Sequence, residues 1–308
     1  MPTKLLGGLT VDGVPVTGSG VDALPITGNV FYVNSSTGVD DPSYGTTVAR
    51  PFDTLDYAIG KCTASNGDVI YLLPGHTETI GSASAITVDV AGISIIGLGN
   101  GNLRPTFTWS ATAGTIVVSA ANVTIKNIIC TISIDEVVSM WSVTGAGVTL
   151  DAVDFKPYAS GQAIQFLTSA NTADQLTIKN CRHRQTAAAT ANQVWFNIVG
   201  VDDFAFLNND IWITAKAATA SICVSGSAAL VECRIVGNRI AWLGATITSI
   251  INLVTTSTGV ITDNRLFGGA AVLLAAAITG DACYMAENYV SNTAAASGAL
   301  APTVDTVT

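Results

Sequence analysis

One pattern decides the fold: Val123-Thr124-Ile125-Lys126-Asn127-Ile128, which returns as Leu176-Thr177-Ile178-Lys179-Asn180-Cys181. Each copy is a short β-branched strand, then an Asn or a small polar residue, then the start of another strand. Further copies lie at residues 148–153, 204–210, 234–239, 259–265 and 283–289. A unit of 24 to 30 residues has room for three strands of about five residues with turns, and none shows helical spacing of apolar residues. The pattern predicts an all-β, single-stranded, right-handed parallel β-helix.

An asparagine is predicted at one tight bend in nearly every coil. Taking positions 127, 152, 180, 209, 238, 264 and 288 as equivalent gives steps of 25, 28, 29, 29, 26 and 24 residues, and Ala152 breaks the column. Asn tolerates a left-handed backbone, and stacked amides can hydrogen-bond from coil to coil. The predicted structural column consists of Asn127, Asn180, Asn209, Asn238, Asn264 and Asn288.

Composition along the chain indicates three parts. Residues 1–30 are rich in Gly, Val, Thr and Pro and are predicted to form an extended arm for attachment and assembly. Residues 31–292 are the β-helix domain, with a capping helix at 52–60, and residues 293–308 are a C-terminal tail. The candidate assembly residues are the apolar side chains of the arm: Leu5, Leu6, Leu9, Val11, Val14 and Val16.

The charge content constrains the partners. Only 11% of residues are charged, against roughly 25% in ordinary soluble domains. So few charges predict that part of the outer surface is buried against copies of the chain or against a partner. A net charge of −9 with only 13 Lys and Arg argues against nucleic-acid binding and against an anionic membrane surface. The N-terminus lacks a secretory signal pattern, so we expect folding in a cytoplasm.

The six cysteines predict neither a disulfide framework nor a zinc site, because none of them forms a CxxC pair. Cys130, Cys181, Cys233 and Cys283 recur about every two coils, which predicts stacked interior thiols. No metal and no cofactor is expected.

Candidates for catalysis are few. They are Asp151, Asp154, Lys156, Arg182, His183, Arg184 and Asp210. The repeat places Asp154 beside Arg182 on the next coil, and Asp210 one coil before Arg239, which precedes Arg265. The sequence therefore favours ion pairs on a solvated face, and a catalytic group of Asp154, Arg182, His183 and Asp210 is the alternative. Both histidines, His76 and His183, are predicted in surface or loop positions.

Two further rows of side chains recur along the coils. Lys126, Asp151 and Lys179 are predicted to form an exposed ladder of charges across three coils. The five tryptophans occur about once per coil; stacking inside the coils or under loops is the favoured interpretation, and a sugar-binding aromatic strip is the alternative. They are Trp109, Trp141, Trp195, Trp212 and Trp242.

The segment Arg50-Pro51-Phe52-Asp53-Thr54-Leu55-Asp56-Tyr57-Ala58-Ile59, followed by Gly67-Asp68-Val69-Ile70-Tyr71-Leu72-Leu73-Pro74-Gly75, resembles the start of pectate-lyase-like right-handed β-helices. In that superfamily a PF-TI--AI helix caps the solenoid, and a GD-I-L-PG-Y-E segment is the first strand. Here Gly75-His76-Thr77-Glu78 replaces the usual PG-Y-E. The resemblance covers about residues 31 to 80 and implies the fold more strongly than any activity.

Within this superfamily, the Gly-Val-Thr-rich arm, the short chain and the low charge resemble virion proteins of tailed bacteriophages. The resemblance implies a non-enzymatic, homotrimeric decoration or cement protein on the capsid surface, folded in the host cytoplasm. Its partners would be itself and the major capsid protein or another virion protein. The alternative is a tailspike that binds or depolymerises a host surface polysaccharide.

Overall fold

The computed structural model describes residues 9–11, 14–16, 27–156, 163–185, 194–216, 222–244, 249–269, 277–280, 282–292 and 297–300. Nearly every element in these ranges is a β-strand. Three long sheets run side by side, and the chain visits them in turn, leaving one strand in each sheet per coil. Successive coils pair in parallel. The structure therefore confirms the predicted parallel β-helix.

The first sheet holds ten strands, and its inward side chains form one wall of the core. They are β3 (Val30–Val33), β4 (Val69–Leu72), β7 (Ser94–Gly97), β10 (Thr124–Lys126), β13 (Thr149–Asp151), β16 (Thr177–Lys179), β19 (Ala205–Leu207), β22 (Cys233–Val236), β25 (Gly259–Thr262) and β28 (Cys283–Ala286).

From β10 onward, the second sheet follows the first within each coil after a bend of one or two residues; the first two connections, 73–76 and 98–105, are longer. Its strands are β5 (Thr77–Ile80), β8 (Thr106–Trp109), β11 (Ile129–Ile132), β14 (Asp154–Lys156), β17 (Arg182–Gln185), β20 (Asp210–Lys216), β23 (Arg239–Gly244), β26 (Arg265–Gly268), β29 (Asn288–Asn292) and β30 (Ser297–Leu300). Unlike the others, β30 pairs antiparallel with its neighbour.

The third sheet completes each coil. Its strands are β6 (Ile86–Val88), β9 (Ile116–Val118), β12 (Trp141–Val143), β15 (Leu167–Ser169), β18 (Val194–Ile198), β21 (Ile222–Gly226), β24 (Ile251–Asn252) and β27 (Ile278–Thr279). Alternate residues of all three sheets point inward and form one continuous apolar core. Its aromatic rings are in contact, for example Phe155 on Phe166 at 4.5 Å and Trp195 on Trp242 at 4.6 Å between centroids.

A short helix, α1 (Leu55–Ile59), covers the N-terminal end of the core. The predicted span of 52–60 was too long, because Phe52 serves the first sheet instead. Its backbone N–H donates to Tyr32 O and its carbonyl accepts from Asn34 N, both at 2.8 Å, which holds it extended beside Val33. Thr54 then caps the helix by accepting a hydrogen bond from Tyr57 N.

The predicted asparagine column turns out to be two columns. The strand register makes Asn127, Ala152, Asn180 and Asn208 equivalent, and all four have positive φ at the bend between the first and second sheets. The equivalence of Asn180 with Asn209 was therefore wrong by one residue.

The second column lies one position later and is buried. It consists of Asn209, Asn238, Asn264 and Asn288. Each Oδ1 in the last three accepts the backbone N–H and the Nδ2–H of the asparagine one coil earlier, at 2.9 to 3.1 Å. The predicted coil-to-coil hydrogen bonding is thus confirmed for this ladder. Upstream, the same position is apolar: Val153 and Cys181.

The recurring cysteines are free and buried, as predicted, but they do not form one stack. Cys130 lies in the second sheet and Cys181 lies at the bend. Only Cys233 and Cys283 share a column, two coils apart with Gly259 between them. Burial raises the pKa of Cys181 to about 12, which suits a packing role rather than a chemical one.

The predicted arm is only partly within the described residues. Strands β1 (Leu9–Val11) and β2 (Val14–Val16) form an antiparallel hairpin there, rather than one extended segment. Leu5 and Leu6 lie outside the described residues. The assembly role of the arm stays a prediction, as does that of the tail, which contributes β30. Across the described ranges, no helix has the length and apolarity to cross a membrane.

Candidate functional site

Five of the charged residues singled out from the sequence lie, with Tyr289, in one row on the outside of the second sheet. Strand register puts Asp154, Arg182, Asp210, Arg239, Arg265 and Tyr289 directly beside one another, and we call this row the outer column. The row points outward because the next residue of each strand is buried in the core. Those buried residues are Phe155, His183, Ile211, Ile240, Leu266 and Val290.

At its N-terminal end the outer column is a closed ion cluster around Asp154. The Asp154 carboxylate is buried and accepts from Arg104 Nη2 at 2.7 Å and from Arg182 Nη2 at 3.3 Å, both on Oδ2. Lys156 is held nearby by Asn102 Oδ1, at 2.8 Å from its Nζ. The expected contact between Asp154 and Arg182 is confirmed. The Asp154 carboxylate accepts hydrogen bonds from two arginines of the chain, so its role is structural.

Asp210 organises a second cluster around Trp212. Its Oδ2 accepts from Arg184 Nη2 at 3.1 Å, and its Oδ1 lies 4.0 Å from Arg239 Nη1. The guanidinium carbons of Arg184 and Arg239 lie 5.5 and 5.2 Å from the centroid of the Trp212 ring. The indole is thus flanked by two cations that one carboxylate holds in place.

Beyond this cluster the outer face opens into a groove of about 510 Å³. Ala241 lies between Trp212 and Phe267 in neighbouring coils, so a small residue between two aromatic ones leaves a depression. Arg239, Arg265 and Tyr289 border the other side. Ser291 and the buried residues beneath complete the lining. Tyr289 is 54% exposed, and Arg239 and Arg265 are also exposed.

The outer face of the second sheet is basic in an acidic protein. Five described basic side chains point outward from its strands, against two acidic ones, and Arg104 adds a sixth basic group through its contact with Asp154. The outward basic residues are Lys156, Arg182, Arg184, Arg239 and Arg265, and the outward acidic ones are Asp154 and Asp210. Asp263 and Glu287 are exposed at the bends that lead into β26 and β29. The sequence showed these as scattered charges, because repeat spacing, not sequence proximity, brings them together.

Both histidines are buried, which corrects the predicted surface placement; His76 does lie in a connection, between β4 and β5, whereas His183 lies in a strand. His183 lies inside strand β17, where its Nδ1 is 2.6 Å from Phe155 O and its ring contacts Trp195 at 4.2 Å. The alternation of the strand sends Arg182 and Arg184 outward and His183 inward. The predicted catalytic alternative of Asp154, Arg182, His183 and Asp210 therefore does not come together, since His183 faces the opposite side of the sheet.

His76 belongs to the N-terminal cap. Its Nδ1 accepts from Ser35 N at 3.0 Å, and its Nε2 lies 2.9 Å from Glu78 Oε1. Glu78 Oε1 also accepts from Leu55 N at 2.6 Å, at the start of α1. The Gly75-His76-Thr77-Glu78 segment thus ties the first strand of the second sheet to the capping helix.

The remaining candidates lie on the first sheet. Asp151 Oδ2 is 3.4 Å from Lys126 Nζ and 3.9 Å from Lys179 Nζ, which confirms the predicted charge ladder, although Asp151 itself is buried. Asp151 Oδ1 also accepts from Asn180 Nδ2 at 2.7 Å. These contacts join three coils and leave the carboxylate engaged on both oxygens.

The tryptophans divide between two roles. Four are fully buried, as the favoured interpretation predicted: Trp109, Trp141, Trp195 and Trp242. Trp212 is the exception, being partly exposed on the outer face. Of the five, Trp212 is the one that lies where the alternative interpretation, a sugar-binding aromatic strip, needs it; Tyr289 was not predicted as a site residue. The repeat spacing could have placed Trp212 beside Arg184 on the neighbouring strand. The predicted alignment did not, because it matched Asn180 with Asn209 and was therefore one residue out of register.

Among the described side chains, no group of three or more His, Cys, Asp and Glu has a geometry suited to a metal ion. The two carboxylates of the outer column lie two coils apart with Arg182 between them, and both accept from arginine. The groove instead offers flat aromatic surfaces and guanidinium donors, which suit binding.

Comparisons with known proteins agree with this architecture. No protein-family model matches the chain, and no curated protein matches it. Among solved structures, a rhamnogalacturonan lyase is 12% identical with a TM-score of 0.41, over 89% of this chain and 90% of that one. The pectate lyase Pel9A is 14% identical with a TM-score of 0.45, over 85% and 80%. A GH136 lacto-N-biosidase from Eubacterium ramulus is 10% identical with a TM-score of 0.43, over 86% and 68%. At these identities the likeness concerns the fold alone, the parallel β-helix that the strand pairing shows.

Proposed function

We propose that this β-helix binds a polysaccharide along the outer face of its second sheet. The observation that carries the proposal is the groove between Trp212, Arg239, Arg265, Phe267 and Tyr289. Sugar rings present apolar faces that stack on aromatic side chains, and hydroxyl groups that accept from guanidinium donors. The groove supplies both on rigid strands, and it crosses several coils, as an extended chain requires.

Binding without cleavage is the form of this function that the site favours. Glycoside hydrolysis needs two carboxyl groups on either side of the scissile bond, one of them donating a proton. Asp154 and Asp210 each accept from arginine, and both pocket-lining charged residues are arginines. We therefore expect a bound polysaccharide to keep its chain length, and size-exclusion chromatography of the glycan after incubation measures this directly.

The test of binding is a panel of bacterial surface polysaccharides, probed with the wild-type chain and with Trp212→Ala. We expect Trp212→Ala to lower affinity roughly tenfold or more, as the loss of a central aromatic contact does. Tyr284→Ala is the matched control, because Tyr284 is 66% exposed but lies on the first sheet. Equal loss in both variants, or a panel without any bound glycan, would contradict the proposal.

A second candidate function is decoration of a phage capsid by a homotrimer. The outer face of the third sheet favours it, because the described outward side chains are uncharged. They are Thr87, Val117, Ser142, Thr168, Asn197, Asn252 and Thr279. Light scattering of the purified chain tests the trimer, and a stable monomer would contradict it. Addition to undecorated capsids should raise their melting temperature, since a protein that binds only assembled capsid stabilises it.

A further inference from the structure

Two arginines lie side by side in the groove. Arg239 and Arg265 are in register on neighbouring strands, about 4.8 Å apart along the coil axis. Elsewhere the outer column alternates in sign, from Asp154 through Arg182 to Asp210. Like charges directly opposite one another destabilise a sheet. The alternation therefore breaks at the point where the groove lies.

Among the described residues, no carboxylate compensates this pair closely. Asp210 lies 4.0 Å from Arg239, and Arg184 already holds that carboxylate at 3.1 Å. Arg265 forms no ion pair within 4.0 Å among the described residues. The acids of the adjoining bends, Asp263 and Glu287, are exposed and form no ion pair with it.

The walls of the groove would strengthen an interaction with an anion. Trp212 and Phe267 line one side, and Tyr289 closes the column next to Arg265. Apolar rings exclude water from a bound group, and charge–charge attraction is stronger where water is excluded. A guanidinium fork also matches a carboxylate or a phosphoryl group with two parallel hydrogen bonds.

We infer that the groove takes a sugar residue bearing an acidic substituent, which lies between Arg239 and Arg265. The inference rests on the proposed polysaccharide binding and names its ligand class: an acidic glycan with a uronic carboxylate or a phosphoryl group. A neutral sugar would stack on the aromatic rings but would leave the two positive charges uncompensated. An acidic one neutralises both.

To test this, each polysaccharide of the panel is immobilised on an array in three forms, native, carboxyl-reduced and dephosphorylated, and binding of the wild-type chain to each form is measured. Carboxyl reduction turns uronic acids into neutral sugars without changing the linkages. Loss of binding after carboxyl reduction identifies a carboxylate, and loss after dephosphorylation identifies a phosphoryl group; either result supports the inference. Undiminished binding to both modified forms would overturn the inference and leave the proposed function standing. A wild-type chain that binds none of the glycans would overturn both.

Arginine variants give an independent measure. Arg265→Gln should weaken binding to the native acidic glycan roughly 10- to 100-fold, the usual effect of losing hydrogen bonds between charged groups. Its affinity for any modified form should change much less. Arg234→Gln removes the same charge from the first sheet, where Arg234 is 55% exposed, and should bind like the wild type. Equal weakening by Arg234→Gln would show a long-range charge effect and would contradict binding of the acidic group between Arg239 and Arg265.

Discussion

The N-terminal cap and the groove both contain charged side chains, but within the described part of the chain only those of the cap have their hydrogen bonds satisfied by neighbouring residues. In the cap, the buried Asp68 carboxylate accepts from Thr63 N, Asn29 N and Asn66 Nδ2 at 2.6 to 2.7 Å. In the groove, Arg265 is exposed and without an ion pair among the described residues. The Asp68 carboxylate stabilises the fold because its hydrogen-bond partners belong to the chain, whereas we propose that the Arg265 guanidinium is available to a ligand. The two regions should therefore respond differently to substitution.

The largest effect on stability is expected at Asp68. Asp68→Ala leaves three partly buried donors without their charged acceptor and should lower the free energy of unfolding by about 3 to 4 kcal/mol. Denaturant unfolding, monitored by circular dichroism, measures this. Glycan affinity of the folded fraction should be unchanged, because Asp68 lies at the opposite end of the solenoid from the groove. A loss below about 1 kcal/mol would remove the distinction between the regions.

The Asp68 contribution should also depend on pH. Burial opposes its ionisation, but the hydrogen bonds donated by Thr63, Asn29 and Asn66 outweigh that and lower the pKa of the carboxyl below its usual value. The stabilisation is therefore complete above the unfolded pKa, near 4, and is lost as the pH falls through the lower folded value. The stability difference between wild type and Asp68→Asn should shrink from pH 7 to pH 3, and a constant difference would contradict this cause.

A somewhat smaller effect is expected in the asparagine ladder. Asn238 Oδ1 accepts from Asn209, while its Nδ2 donates to Phe206 O and Asn264 Oδ1 at 2.8 and 2.9 Å. Asn238→Ala should cost about 2 to 3 kcal/mol, because these buried partners are left unsatisfied. Asn208→Ala is the control, since Asn208 is an exposed bend residue with positive φ, and should cost about 1 kcal/mol. Equal costs would contradict the division into two columns.

The smallest effect on stability is expected at Arg265. Arg265→Gln should change the free energy of unfolding by less than about 0.5 kcal/mol, and slightly upward, because a repulsion from Arg239 is removed. The same variant should show the large loss of affinity for acidic glycan. Paired unfolding and binding measurements on one preparation check this. A destabilisation comparable to that of Asn238→Ala would mean that Arg265 serves the fold.

Much of this architecture could be predicted from the repeat. The β-branched strands and the Asn at each bend determine the period, and the period placed Asp154 beside Arg182 correctly. The error came where Asn208 and Asn209 follow one another, because both fit the bend and spacing alone does not choose between them. Because of this one-residue register error, the contact of Asp210 with Arg184 and the position of Trp212 beside Arg184 were not predicted. Helix α1 was predicted too long because the apolar Phe52 fits both a helix face and a strand.

The groove itself could not be derived from composition. Its depression depends on Ala241 lying between Trp212 and Phe267 in neighbouring coils, 29 and 26 residues apart in sequence. Its positive character depends on Arg239 and Arg265 being adjacent in space within a chain of net charge −9. Both features depend on the coil-to-coil register, which only strand pairing provides.

Oxidative footprinting in the presence of the native acidic polysaccharide tests the central claim most directly. The account predicts that bound glycan protects Trp212 and Tyr289 from modification, while Tyr284, which is exposed on the first sheet, is modified at an unchanged rate. Protection of Tyr284 instead, or modification of Trp212 and Tyr289 at their free rates with glycan bound, would contradict a binding site on the second sheet.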